Sequence, residues 1–202
     1  MGFGLLLLGY MTTLSFFPDL SAIFLYIGYT IFIPVIGGFI ILAAFFKLQE
    51  YNIYFKIMKY ITIVYILALI GFAPFFMIEQ SYEIMERFIF ISRIINISVL
   101  FTFHYFMLSG IYNLAKNINN ERISRSARFN IYFTYVYFGL TAASMIFINV
   151  YYAYALVVLG LVYFFRNMLC IYKCFMQITY KGHDEEIERK YEEKNRRKKN
   201  KK

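Results

Sequence analysis

A single histidine, His104, stands inside an apolar run that reaches from Phe88 to Ala115, FIFISRIINISVLFTFHYFMLSGIYNLA. At about 100° per helical residue, Arg93, Asn96, Leu100 and His104 share one face of that run. Imidazole changes charge near neutral pH, and an ionisable group in the middle of a bilayer crossing is a natural proton relay or cargo ligand. The alternative is a neutral histidine hydrogen-bonded to a neighbouring helix, for instance to Thr141 or Ser144. No acidic residue lies deep in any apolar run, so a histidine–carboxylate proton pair is not expected. Arg93 falls near the end of the run, where it can pair with Glu83 or Glu86, and Arg166 can reach the opposite interface by extending its stem.

Pro34 with Gly37 and Gly38 forms a second set. Proline removes a backbone donor and the glycine pair loosens the next turn, so the three predict a kink or local unwinding inside a long apolar helix. Broken helices near the midplane bind cargo in many transporters. A packing kink is the other reading. Cys170 and Cys174 are four residues apart on one helix face, a spacing of about 6 Å that does not suit a disulfide. They are expected to be reduced and to pack as small hydrophobes, and no metal site is expected of them.

Absent motifs exclude more. The only other histidine is His183 in the C-terminal tail, which removes bis-histidine haem ligation and a helix-borne H-E-x-x-H zinc site. The chain has no G-x-S-x-G elbow, no G-x-x-x-x-G-K-[ST] phosphate loop and no repeated aspartate motif. Neither an enzyme nor a resident cofactor is expected.

The elements that must position these residues follow from composition. Of the 202 residues 60% are apolar, and the mean hydropathy is +0.56, too high for a soluble domain of this size. Crossing a bilayer takes roughly 20 helical residues. The apolar runs predict an all-α, polytopic six-helix bundle over 1–177, with crossings at about 1–17, 20–46, 60–78, 88–115, 131–149 and 151–175, followed by a charged tail over 178–202. The first run has no basic residue before its apolar stretch and no small-residue cleavage site, so it reads as a crossing and not as a secretory signal. Pro18 and Asp19 predict the first turn, and Asn149 with Tyr151, Tyr152 and Tyr154 places the last one near 149–152. A short interfacial helix is expected over 51–60. Small residues suggest close helix packing at Gly9 and Thr13, and again at Gly139, Ala142, Ala143 and Ser144.

Charge orients the bundle. Basic segments at 47–59, at 116–128 and from Lys173 onward alternate strictly with the acidic or uncharged turns at 18–19, 79–86 and 149–152. The positive-inside rule then places both termini in the cytoplasm, in a cell membrane.

The tail pairs Glu185 with Arg189, Glu186 with Lys190, Glu192 with Arg196 and Glu193 with Arg197 at helical spacing, and closes on the basic residues Lys194, Arg196, Arg197, Lys198, Lys199, Lys201 and Lys202. Such a cluster suits anionic lipid headgroups or a purely solvated extension. No aromatic interleaving accompanies it, and nucleic acid is not an expected partner. A second copy of the chain or another membrane subunit is. The stretches Gly2 to Tyr10 (GFGLLLLGY) and Lys47 to Lys56 (KLQEYNIYFK) resemble small multi-spanning proteins of low-GC, Firmicutes-type bacteria, a group without an assigned function. The resemblance implies a bacterial cytoplasmic membrane and carries no site residue. Two functions fit these readings: a small-solute transporter or transport component built on the broken helix and His104, and a non-catalytic membrane scaffold or regulator acting through its basic tail.

Overall fold

A computed structural model describes residues 2–12, 32–72, 82–146 and 150–180. Among them are six α-helices and no strand: α1 (Gly2–Thr12), α2 (Phe32–Leu48), α3 (Ile53–Phe72), α4 (Tyr82–Asn117), α5 (Glu121–Ala143) and α6 (Val150–Cys174), the last followed by a π-helical turn, Phe175–Tyr180. Two helical stretches, Phe90–Asn117 and Tyr151–Ile178, each of 28 residues, are long and apolar enough to cross a membrane. The expected Thr13 contact, the turn at Pro18 and Asp19, the side chains of Glu83 and Glu86, Asn149 and the whole polybasic tail lie outside the described residues or side chains.

The helices pack in a ring. Each touches its neighbours in sequence, and α6 closes the circle on α1. At one end of the ring Gly2 packs against Leu48, Gly4 against the Phe175 ring, and Asn120 bonds Gln177. The start of α1, the α2–α3 junction, the α4–α5 junction and the end of α6 therefore lie together.

Local chemistry sets the junctions at that end. Asn52 precedes α3 and its Oδ1 accepts from the Tyr54 amide at 3.1 Å. Asn120 caps α5, its Oδ1 accepting from the Ile123 amide at 3.2 Å. Both satisfy amides that an isolated helix start leaves unpaired. Asn119 takes a left-handed backbone (φ 54), a region asparagine tolerates better than most residues, and this lets α4 reverse into α5 within a few residues.

Two expectations are corrected. The segment over 51–60 is not a separate interfacial helix: α3 runs unbroken from Ile53 to Phe72. Lys59 allows this by folding back, with Nζ 2.9 Å from Gln49 Oε1 and over the rings of Phe46 and Tyr60. The last turn comes earlier than 149–152. α5 ends at Ala143, residues 144–146 form a turn, and Tyr151 and Tyr152 already belong to α6. The Tyr152 hydroxyl reaches across and donates to the Leu140 carbonyl at 2.8 Å, a site at the C-terminal end of α5.

Pro34 is the third residue of α2, and the residue four before it, whose carbonyl its ring would crowd, lies outside the described residues. Within Phe32–Leu48, α2 is α-helical at Gly37 and Gly38. The glycines admit neighbours. A Cβ on Gly9 of α1 would lie 2.6 Å from Ile41 Cγ1, 3.0 Å from the Ile41 amide nitrogen and 3.2 Å from the Gly37 carbonyl oxygen, so the α1 and α2 backbones meet there. On the other side of α2, a Cβ on Gly38 would press to 2.9 Å from Ile66 Cγ1 of α3. Small residues permitting close backbone approach are the usual cement of helices in lipid.

Candidate functional site

His104 lies at the centre of the ring and is fully buried. Its Nδ1 is 2.8 Å from the Leu100 carbonyl oxygen, one turn back on α4, and its Nε2 is 3.0 Å from the Tyr10 hydroxyl on α1. A carbonyl only accepts, so Nδ1 carries the proton. Nε2 of the neutral ring is then an acceptor, and Tyr10 donates to it. The rings of Phe103, Phe138, Tyr163 and Tyr10 surround the imidazole at centroid distances of 5.3 to 5.8 Å. Phe164 stacks on the far face of the environment, parallel to Tyr10 at 5.4 Å.

The partner is neither Thr141 nor Ser144. Thr141 donates to the Tyr137 carbonyl and Ser144 to the Thr141 carbonyl, so both hydroxyls are spent on their own helix. Arg93 and Asn96 share the α4 face with His104 but sit about 16 and 12 Å away along the axis. Both are half-buried, and the structure does not bring them into the histidine's surroundings.

A second polar cluster joins α5 to α6. Asn130 is fully buried, and its Nδ2 donates to the Arg166 carbonyl at 3.2 Å and to Asn167 Oδ1 at 3.0 Å. Its Oδ1 accepts from Arg166 Nε at 3.3 Å. One turn further, the Thr134 hydroxyl donates to the Asn130 carbonyl at 2.8 Å, which leaves Tyr163 to donate to Thr134 Oγ1 at 2.8 Å. Tyr163 in turn stacks on Tyr137 at 4.9 Å and lies 5.3 Å from His104, so the two clusters abut. Asn167 is fully buried beside them, and its Nδ2 has no hydrogen-bond partner.

Sequence reasoning missed Tyr10, Asn130, Thr134, Tyr163 and Asn167. A signal was present in Asn130/Thr134 and Tyr163/Asn167, two polar pairs at i, i+4 facing one another in adjacent helices. The cysteines behave as expected: Cys170 and Cys174 are free thiols, fully buried on the inner face of α6.

Around the end of the ring where α4 turns into α5, cations are held against aromatic faces. Arg128 Nη2 donates to the Tyr112 hydroxyl at 2.7 Å and lies over that ring, and this bond holds its guanidinium still further toward the charged form. Arg166 stacks on Phe129, its Cζ 4.2 Å from the ring centroid. A shallow, open cavity of about 400 Å³ lies along α4 and α5, lined by residues that include Ile97, Phe101, Tyr135, Gly139 and Phe138, whose ring stands between it and His104. The Ser98 and Thr102 hydroxyls at this cavity donate to carbonyls of their own helix.

Chemically, the centre joins helices. Every donor and acceptor of the histidine is spent within the bundle, and the asparagine hub binds α5 to α6 three times. Among protein-family models, curated proteins and solved structures, none matches this chain.

Proposed function

We propose that the chain is an integral membrane protein, crossing the bilayer six times with both termini in the cytoplasm, and that it works as a non-catalytic scaffold or regulator through its basic cytoplasmic end. The observation that carries this reading is the sealed centre. A transporter's midplane histidine should line a space that cargo can enter. His104 is instead filled in by four aromatic rings, and both its nitrogens are engaged. Within Phe32–Leu48, α2 is helical at Gly37 and Gly38, which pack against neighbouring helices.

The surface supports the bilayer. Every helix turns large apolar side chains outward, among them Leu8, Phe39, Leu67, Ile91, Val136 and Phe165. Apolar area spread over every helix is far more than a monomeric protein tolerates in water. The orientation rests on the loops. The end of the ring where Gly2, Leu48, Asn120 and Gln177 meet carries basic residues of the 47–59 and 116–128 segments, and the turn at the other end, 144–146, has no charge.

The test is reconstitution of the full-length protein in sealed liposomes that hold a pH-sensitive dye. A scaffold gives the same proton leak as empty liposomes, for the native chain and for His104→Leu alike. A flux in the native chain that His104→Leu abolishes, with insertion unchanged, overturns the reading in favour of transport. Release of the chain from native membranes by alkaline carbonate overturns the membrane assignment itself.

A further inference from the structure

The exposed seam between α5 and α6 carries a cationic device that the central core does not use. Asn130–Asn167 and Thr134–Tyr163 set the antiparallel register of the two helices. In that register Lys173 lies level with the stretch between Arg122 and Arg125. At helical spacing Arg122, Arg125 and Phe129 share the outer flank of α5, and Arg166 and Lys173 share the facing flank of α6. All four cations are exposed. Among the described residues one acid adjoins them, the exposed Glu121 beside Arg122 at the start of α5, so the four cations keep a net positive charge.

Arg166 differs from the other three. It lies a little over two turns before the end of α6, among the exposed apolar residues Val162, Phe165 and Leu169. Its guanidinium is held in one orientation by the Phe129 face at 4.2 Å and by the Nε bond to Asn130 Oδ1. Asn130 is itself fixed, fully buried and bonded twice more to α6. Nε is spent on the protein, and among the described residues the Nη groups have no partner. A planar fork whose orientation is set in advance binds a phosphate through two parallel N–H···O bonds and loses little freedom in doing so. The neighbouring cations add attraction from the level above, and the apolar seam below, through Val136, Leu140 and Val162, offers a bed for an acyl chain.

We infer that the α5–α6 seam is a binding site for one anionic phospholipid, its phosphodiester held by the Arg166 fork with Arg122, Arg125 and Lys173 around it. The site rests on the membrane reading above and is separate from the polybasic tail. A free phosphate offers the fork the same oxygens but has nothing to lay on the apolar seam, and this favours the lipid.

The experiment titrates the purified full-length protein in mild detergent with phosphatidylglycerol or phosphatidylcholine and counts bound lipid by native mass spectrometry. One phosphatidylglycerol should bind in preference to phosphatidylcholine. Arg166→Gln should weaken it at least about tenfold, the loss expected for charge-assisted bonds. Phe129→Leu removes the platform without touching any charge, so it should weaken binding too, while neutralising Lys198, Lys199, Lys201 and Lys202 leaves the bound lipid in place. Unchanged binding in a folded Arg166→Gln variant overturns the site. So does loss on neutralising the tail, which moves the lipid there. Competition by inorganic phosphate or glycerol phosphate at the lipid's own concentration overturns the lipid assignment. Failure of the membrane reading is seen separately, as release by carbonate.

Discussion

The two sides of the ring are joined by different physics. Where α1, α2 and α3 meet, contact is made by removing side chains: Gly9 lets the α1 backbone reach Ile41 and Gly37, Gly2 admits Leu48, and Gly38 admits Ile66. The polar group buried there on α3, Thr62, bonds only the Met58 carbonyl of its own helix. Where α4, α5 and α6 meet, contact is made by adding polar groups that bond across helices, in the Asn130 hub and the Thr134–Tyr163 bond. Both strategies suit an environment in which lipid tails are as apolar as leucine and hydrophobicity alone cannot choose a partner. α1 belongs to both sides. Gly9 serves the first and the adjacent Tyr10 the second.

The difference predicts that one side responds to volume and the other to polarity. The largest effect is expected at Gly9. A valine there must displace Ile41, including its backbone nitrogen, and overpacking against backbone costs about 3 kcal/mol. Loss of helical circular dichroism on heating in mild detergent reads this directly. A Gly9→Val chain that melts with the native one would remove the volume half of the comparison.

Next comes Asn130. Leucine preserves its size but strands Arg166 Nε and Asn167 Oδ1, which is expected to cost about 2 kcal/mol. Asn167→Leu should cost less, because it also deletes a buried amide nitrogen that has no partner. The double variant isolates the bond between them, with a coupling of about 1 kcal/mol, near the upper range for polar pairs within membranes. Strict additivity would mean that the hub contributes nothing to helix pairing.

Tyr10→Phe ranks third. It removes one hydroxyl and leaves Nε2 of a buried neutral histidine without a donor, at a cost of about 1 kcal/mol. The ring remains to stack on Phe164, so packing is preserved. If the same change lowered stability as much as Gly9→Val, Tyr10 would be acting through volume, and the division between the two sides would fail at the helix that belongs to both.

The helical class and the burial of His104 were legible because periodicity and apolar runs are local signals. The partner of His104 was not, since Tyr10 is 94 residues away and nothing local marks one tyrosine among 20. Asn130 was obscured by its position: it follows Arg125 and Arg128 and reads as loop. α5 in fact starts at Glu121, and its basic residues face outward on a helix already formed. The packing role of Gly37 and Gly38 was hidden for a related reason. A glycine pair that weakens an isolated helix also admits a neighbour, and only the arrival of α1 and α3 shows which property is used.

The smallest effect completes the comparison. Gly71 near the end of α3 and Gly139 on α5 are exposed, and a Cβ at either would meet none of the described residues within 4 Å. Neither serves close packing, so alanine should relieve only the conformational cost of a helical glycine, a gain of up to about 1 kcal/mol. Gly71→Ala and Gly139→Ala should therefore melt at or slightly above the native temperature, in the same detergent in which Gly9→Val collapses. The contrast separates glycines that let backbones meet from glycines that merely occupy a helix. A destabilised Gly139→Ala would reveal a partner on that face of α5, beside the shallow cavity, that closes as tightly on Gly139 as Ile41 closes on Gly9.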